Sequence, residues 1–159
     1  MNALSTPDSG TELFWFMNNL LAIPVSCEAG ADRLSVVEQW APHGDSPPLH
    51  IHHSEDEVFV VLKGRLRIQI DGTDVFLDAG GTVMAPKGKP HSFRVESAEG
   101  AHFLAITSGN DFERMIRAAS RPADRPGLPD PAVPTEAMKA ELTRICADHR
   151  IEIVGPPLH

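Results

Sequence analysis

His50 and His52 stand two residues apart in Pro47-Pro48-Leu49-His50-Ile51-His52, and in an extended strand that spacing puts both imidazoles on one face. Two rings on one face can turn toward a common point. Glu57 follows five residues after His52, the wrong parity for one straight strand, but the polar run His53-Ser54-Glu55-Asp56 reads as a turn that returns its carboxylate there. Much later, Pro86-Lys87-Gly88-Lys89-Pro90 shapes a turn that delivers His91 into the strand-like Ser92-Phe93-Arg94-Val95. Three imidazoles and one carboxylate are a ligand set for a divalent transition metal, and iron, manganese, nickel, copper, cobalt and zinc all accept it. Four protein ligands on a six-coordinate ion leave room for substrate, which separates a catalytic centre from a structural one. Glu57 has a second role open to it, because a carboxylate beside a metal can take a proton from a substrate hydroxyl or acidic C–H.

The remaining polar residues near these motifs read more plainly. His53 alternates away from His52 and belongs to the surface or to the surroundings of the ligands. Glu55 and Asp56 read as solvated turn residues. His102, inside the apolar run Ala101 to Thr107, reads as a satisfied core histidine, with a pocket acid or base as the alternative.

The elements that must hold these side chains are short strands. Leu13–Met17, Leu20–Ile23 and Leu34–Trp40 are rich in aromatic and branched residues, with turn formers between them. Trp15 and Trp40 read as core or subunit-contact residues. In Glu57–Leu62, an inward Glu57 carries Phe59 and Val61 inward with it and sends Val58, Val60 and Leu62 to the opposite face, which then needs a cover. Leu66–Ile70 alternates as a half-buried strand, Asp71-Gly72 signals a hairpin, and Val75–Leu77 and Thr82–Ala85 follow. Many short strands joined by Gly- and Asp-bearing turns predict an antiparallel barrel or jelly roll. After residue 110 the pattern changes. Phe112, Met115, Ile116 and Ala119 form a helical stripe, and five prolines within residues 120–134 keep that segment extended across the surface. Thr135 caps a second helix whose stripe is Met138, Leu142, Ile145, Cys146 and His149, and the apolar residues 151–158 pin that helix to the barrel or to a neighbouring subunit. The expected organisation is a mobile tail over residues 1–11, a barrel over 12–110 and a helical, Pro-rich extension over 111–159.

Taken together, Gly44-x5-His50-x-His52-x4-Glu57-x6-Gly64 and Gly80-x5-Pro86-x-Gly88-x2-His91 resemble the two signature motifs of the cupin superfamily. The resemblance implies an all-β fold, a small antiparallel barrel or double-stranded β-helix with short C-terminal helices, holding one divalent metal on His50, His52, Glu57 and His91. One position departs: Val95 stands where the second motif usually ends in Asn, which bears on the polarity of the pocket more than on the metal. Phe14-Trp15-Phe16, Pro47-Pro48-Leu49-His50, Glu55-Asp56-Glu57 and Gly155-Pro156-Pro157-Leu158 extend the likeness to the bacterial single-domain cupins similar to quercetin 2,3-dioxygenase. That likeness implies dioxygenase chemistry on an enolisable or aromatic small molecule, with Glu57 as base. A non-catalytic binding or sensing cupin, or a metal-dependent lyase or isomerase, are the alternatives, since one fold serves many functions.

Composition narrows the partners. The 159 residues carry a net charge of −8, which argues against nucleic acid and against anionic membrane surfaces and leaves a small molecule as the expected ligand. Cys27 and Cys146 form no metal or redox motif and read as buried or free thiols of a reducing compartment, so the cytoplasm is expected. The apolar outer face over 58–62 makes a homodimer the expected assembly.

Overall fold

The structure is a computed structural model that describes residues 10–159, so all but the end of the expected tail lies outside the described residues. Two antiparallel sheets face each other. The larger has seven strands in the order β11 (Arg121–Pro122), β1 (Leu13–Phe16), β2 (Asn19–Val25), β3 (Ser35–Ala41), β10 (Ala101–Thr107), β5 (Glu57–Lys63), β8 (Thr82–Ala85). The smaller has five, in the order β12 (Ile151–Pro157), β4 (Pro48–His52), β9 (His91–Val95), β6 (Arg65–Ile70), β7 (Thr73–Asp78). Consecutive strands are repeatedly sent to opposite sheets, the jelly-roll solution to the exposed-edge problem.

Strand-by-strand alternation builds the core. Phe59 and Val61 point inward with Glu57 and join Leu66, Ile68, Phe93, Val95 and Phe103 in a cluster between the sheets. Their neighbours Val58 and Val60 are half-buried and Leu62 is exposed. Beside them Met84, paired to Val58 across β8, is also exposed, so this outer face has no cover within the described chain. The Asp71-Gly72 turn joins β6 to β7 with φ of 50° and 80°, the doubly left-handed geometry of a tight hairpin. Gly64, at the β5–β6 turn, has φ of 85°, and a Cβ there would come within 2.5 Å of the Gly100 carbonyl oxygen. No larger residue fits.

Helix α1 (Asp111–Ala119) and helix α2 (Glu136–Asp148) close the other end of the barrel. Phe112, Met115, Ile116, Ile145 and Cys146 pack there on Phe14, Leu21, Val37 and Ile151. Thr135 caps α2, its Oγ1 accepting from the Met138 amide at 3.2 Å. Met138 itself is exposed, so the buried stripe of α2 is shorter than the sequence pattern predicts. The Pro-rich segment lies across the outer face of the large sheet, where Trp15 and Trp40 pack with Leu20, Ala22, Ala123 and Leu128. Trp15 Nε1 donates to the Gly127 carbonyl at 2.8 Å. Both tryptophans are therefore core residues of an outer layer, beneath a proline strap.

Candidate metal centre and cavity

The β4 and β9 strands run side by side with His50 directly opposite His91, and His52 lies two residues along on the same face. Glu57 arrives from the other sheet, as the first residue of β5. The residues 53–56 do make the turn that brings it back. One atom from each of His50, His52, Glu57 and His91 lies within 4.8 Å of every other. The three rings sit 4.6 to 5.2 Å apart, centre to centre. His52, Glu57 and His91 are buried.

Each imidazole is held by its Nδ1. That of His50 lies 2.7 Å from the Pro48 carbonyl, that of His91 lies 3.0 Å from the Lys89 carbonyl, and that of His52 lies 3.4 Å from Glu55 Oε2. Donation from Nδ1 fixes the tautomer of His50 and His52 and leaves their Nε2 lone pairs aimed inward, the usual outer-sphere arrangement around metal-binding histidines, while His91 Nε2 donates to Glu57 in the metal-free centre. Nε2 of His52 is buried without a hydrogen-bond partner. An orphaned buried nitrogen costs about 1–3 kcal/mol unless something accepts its lone pair. Bonds of about 2.0–2.2 Å put donors on one ion at most roughly 4.4 Å apart, so a few tenths of an ångström of contraction completes a coordination sphere. The donor set and its geometry fit a divalent transition metal.

Charge is partitioned unevenly within the cluster. Burial alone would raise the Glu57 carboxyl, but the imidazoles of His52, His91 and His50 overcome it and hold it at about 2. Burial pushes His50 down to about 3, with His91 and His52 adding to the effect. His91 is lowered by burial but raised further by its 2.8 Å contact to Glu57 Oε2, for a net rise. Without metal, the centre therefore holds an ionised Glu57 paired with His91, beside a neutral His50.

Two residues that read as solvated turn positions behave otherwise. Glu55 is fully buried: besides contacting His52, its carboxylate accepts from the backbone amides of Asp111 at 2.6 Å and Phe112 at 3.0 Å. It caps α1 in place of Asn110, whose side chain makes no cap, and it sits at the positive end of the helix dipole. A Cβ on Gly109 would meet Glu55 Oε1 at 2.5 Å, so that glycine leaves room for the carboxylate. Asp56 is half-buried and accepts from the Lys87 amide at 2.9 Å, tying the first motif to the turn that carries His91. The signal for Glu55 was its pairing with a helix start fifty-six residues away, which no local pattern carries.

His53 is on the surface, 2.8 Å from Glu152. His102 lies on the outer face of the large sheet, not in the cavity, stacked on Trp40 with ring centres 4.5 Å apart and 2.6 Å from Glu38. Val95 is buried in the core cluster, so its departure from the usual Asn leaves the cavity lining untouched. Its backbone instead pins the approach to β4, donating to the Asp45 carbonyl at 3.0 Å and accepting from the Gly44 amide at 2.9 Å.

A narrow cavity opens from His50 and Glu57 between the two core clusters. Its walls are apolar, with Phe16, Phe59, Phe93, Phe112, Met115 and Ile116 prominent. Cys146 also lines it, its thiol pushed up by burial to about 11 and so inert at neutral pH. Besides His50 and Glu57, four polar residues, Asn19, Gln39, Asp45 and Ser46, interrupt the apolar lining, and of these Ser46 is already engaged, its Oγ accepting from the Leu158 amide at 3.0 Å. No sequence pattern singled them out.

Residues 36–107 match the family model described as Cupin domain. The chain is 30% identical to quercetin 2,3-dioxygenase of Bacillus subtilis (strain 168) over 113 residues, 71% of this chain, and spans about one third (33%) of that relative's length. Among solved structures it resembles a predicted oxalate decarboxylase from Thermotoga maritima, with a TM-score of 0.59 at 24% identity, covering 66% of this chain and 98% of that one. It also resembles a cupin-superfamily sugar phosphate isomerase from Silicibacter pomeroyi, with a TM-score of 0.58 at 16% identity, covering 68% and 77%. These two share the fold. With both motifs in register on a jelly roll, the chain belongs to the cupin superfamily. No helix among the described residues is long and apolar enough to cross a membrane.

Proposed function

We propose that this cupin is a metal-dependent dioxygenase acting on a small enolisable or aromatic molecule, with His50, His52, Glu57 and His91 holding the metal and Glu57 doubling as base. The orphaned Nε2 of His52, aimed at the three other donors, carries the metal assignment. The Bacillus subtilis relative and the aromatic cavity support the substrate class. When bound, the metal supplies Lewis acidity toward a substrate oxygen and, if redox-active, access to dioxygen. The protein contributes the rest. Phe59, Phe93 and Phe112 clamp a flat ligand and exclude water, and the Nδ1 tethers keep the imidazoles from turning with the substrate. Glu57, ionised and lining the cavity, is placed to accept the proton of an enol hydroxyl. A carboxylate held so low is a weak base, so the transfer relies on a substrate made acidic by its own contact with the centre. Oxygen uptake by metal-loaded protein against a panel of flavonols and diketones tests the reading: uptake is expected, and is lost in His52→Ala. Turnover that proceeds without oxygen would instead place the protein among metal-dependent lyases or isomerases.

The same reading makes a small molecule the partner and a second copy of the chain the cover for the outer strip of Val58, Val60, Leu62 and Met84. A strip of this kind on a sheet whose other half is already roofed by the proline strap suits a two-fold, self-complementary contact.

A further inference from the structure

We infer that Asn19, Gln39 and Asp45 form a second polar pole of the cavity, which recognises a hydroxyl or similar hydrogen-bond donor on the end of the ligand remote from the metal ligands. The inference rests on the reading of the cavity as a substrate site.

Register fixes where this pole lies. Glu57 pairs with Thr107 on β10, whereas Gln39 pairs with Phe103 on the same strand, four residues away. On the facing sheet the Asp45 carbonyl accepts from Val95, four residues along β9 from His91. Four residues at roughly 3.3 Å each place both groups about 13 Å along the strands from the histidine cluster. Asn19 joins Gln39 on the inner face of the large sheet, since Leu21 pairs with Gln39 on the neighbouring strand. Asn19 and Gln39 from the large sheet and Asp45 from the loop between β3 and β4 thus line one end of a slot whose other end is the metal centre and whose middle is apolar.

Their hydrogen bonding is incomplete. Asn19 is 5% exposed, and its amide donates toward Asp45 while its Oδ1 is buried without a partner. Gln39 is 4% exposed, and it lines the cavity beside Asn19. Asp45 is half-buried by exposed area, yet enough protein surrounds its carboxyl that burial raises it above the ordinary range despite the Asn19 contact. An oxygen acceptor at Asn19 and an amide at Gln39, which can either donate or accept, match an O–H group. A wholly apolar ligand would leave the Asn19 Oδ1 buried and unpaired, and sites built to bond a hydroxyl discriminate strongly against analogues lacking it. The preferred ligand is therefore elongated and flat, with an oxygen donor for the metal at one end and a hydroxyl at the other.

The test compares paired probes on protein loaded with zinc, which binds without redox turnover. In fluorescence titrations, 3,4′-dihydroxyflavone is expected to bind at least tenfold more tightly than 3-hydroxyflavone. Gln39→Leu and Asn19→Leu, each checked for an unchanged melting transition, bring the two probes to within about twofold of each other. A ratio near one in the unmodified protein, or a tenfold ratio that survives in both variants, overturns the second pole. A second arm uses chelator-treated protein with 2-naphthol and 2-methylnaphthalene, which need no metal. If neither flavonol binds but 2-naphthol is preferred and the variants abolish that preference, the pole stands and the flavonol-type substrate reading falls. If neither flavonol binds and 2-naphthol is not preferred, the pole is overturned.

Discussion

A histidine–glutamate pair lies on each face of the seven-stranded sheet. Glu57 on the inner face meets His91 at 2.8 Å, and Glu38 on the outer face meets His102 at 2.6 Å. Both histidines are buried, so neither residue type nor contact distance separates them. What differs is the company. Around His91 stand two more imidazoles, each turned by its Nδ1 tether so that its other nitrogen faces a common point, that of His52 buried without a partner. Around His102 stands Trp40, stacked nearly parallel at 13°, beneath a layer roofed by the proline strap. The first environment concentrates lone pairs and calls for a cation. The second satisfies the ring with a carboxylate and an aromatic face, which is packing. Convergence of further donors, rather than burial of a histidine, makes a site.

The largest expected effect tests that distinction directly. His91→Ala and His52→Ala each abolish retention of stoichiometric metal through a desalting column, by elemental analysis, whereas His102→Ala retains it. Metal loss from the His102 variant would erase the contrast. Next in size is Glu55→Gln, which keeps the volume but weakens both the His52 tether and the cap on α1. A 10- to 100-fold fall in metal affinity is expected by competition titration with a chromophoric chelator, the scale usual for lost outer-sphere partners. An unchanged affinity would mean that His52 is oriented by packing alone, through Phe112 at 5.5 Å.

His102→Ala should cost about 1–3 kcal/mol in urea unfolding, from the lost stack and the unpaired Glu38, with the metal content unaltered. Acid sensitivity gives a smaller contrast. His50 stays neutral in the folded, metal-free protein down to about 3, while the unfolded imidazole takes up a proton near its ordinary 6.5, so stability falls as pH drops through that window. Glu57 adds stability above its ordinary 4.5 that is lost toward about 2, and His91, raised in the folded state, works the other way, losing its contribution as pH climbs above 6.5. His50→Leu should flatten the decline in melting temperature between pH 6.5 and 4 in chelator, and a steeper decline would count against the assignment. Last, light scattering should find a dimer, shifted toward monomer by Leu62→Lys combined with Met84→Lys.

The four candidate donors were legible because strand alternation and two turn-forming runs bring them together. Strands β1 to β10 and both helices were legible from local periodicity, with the Thr135 cap marking the start of α2, whereas β11 and β12 were not, residues 151–158 reading only as an apolar segment that pins the helix. Glu55 was misread as solvated because its partners are amides at the start of a distant helix. The side of the sheet taken by His102 stayed open because alternation alone gives two faces without saying which is inside. Asn19, Gln39 and Asp45 gave no sequence signal, since only the register of four strands brings them together. The aromatic pair Trp15 and Trp40 was expected in a core, and the proline run was expected on the surface. That the run forms the lid of that core depended on the Trp15–Gly127 contact.

The pairing of β12 with β4 carries a temporal implication. Ile151 lies opposite His52 and Ile153 opposite His50, so the backbone of the metal-bearing strand is hydrogen-bonded on one side by residues made about a hundred positions later. During synthesis the histidine strand must wait, one edge open, until that segment has left the ribosome. Loading of the ion would then be a late event in biogenesis, and a nascent chain stalled before residue 151 would carry every ligand and still lack a finished cradle.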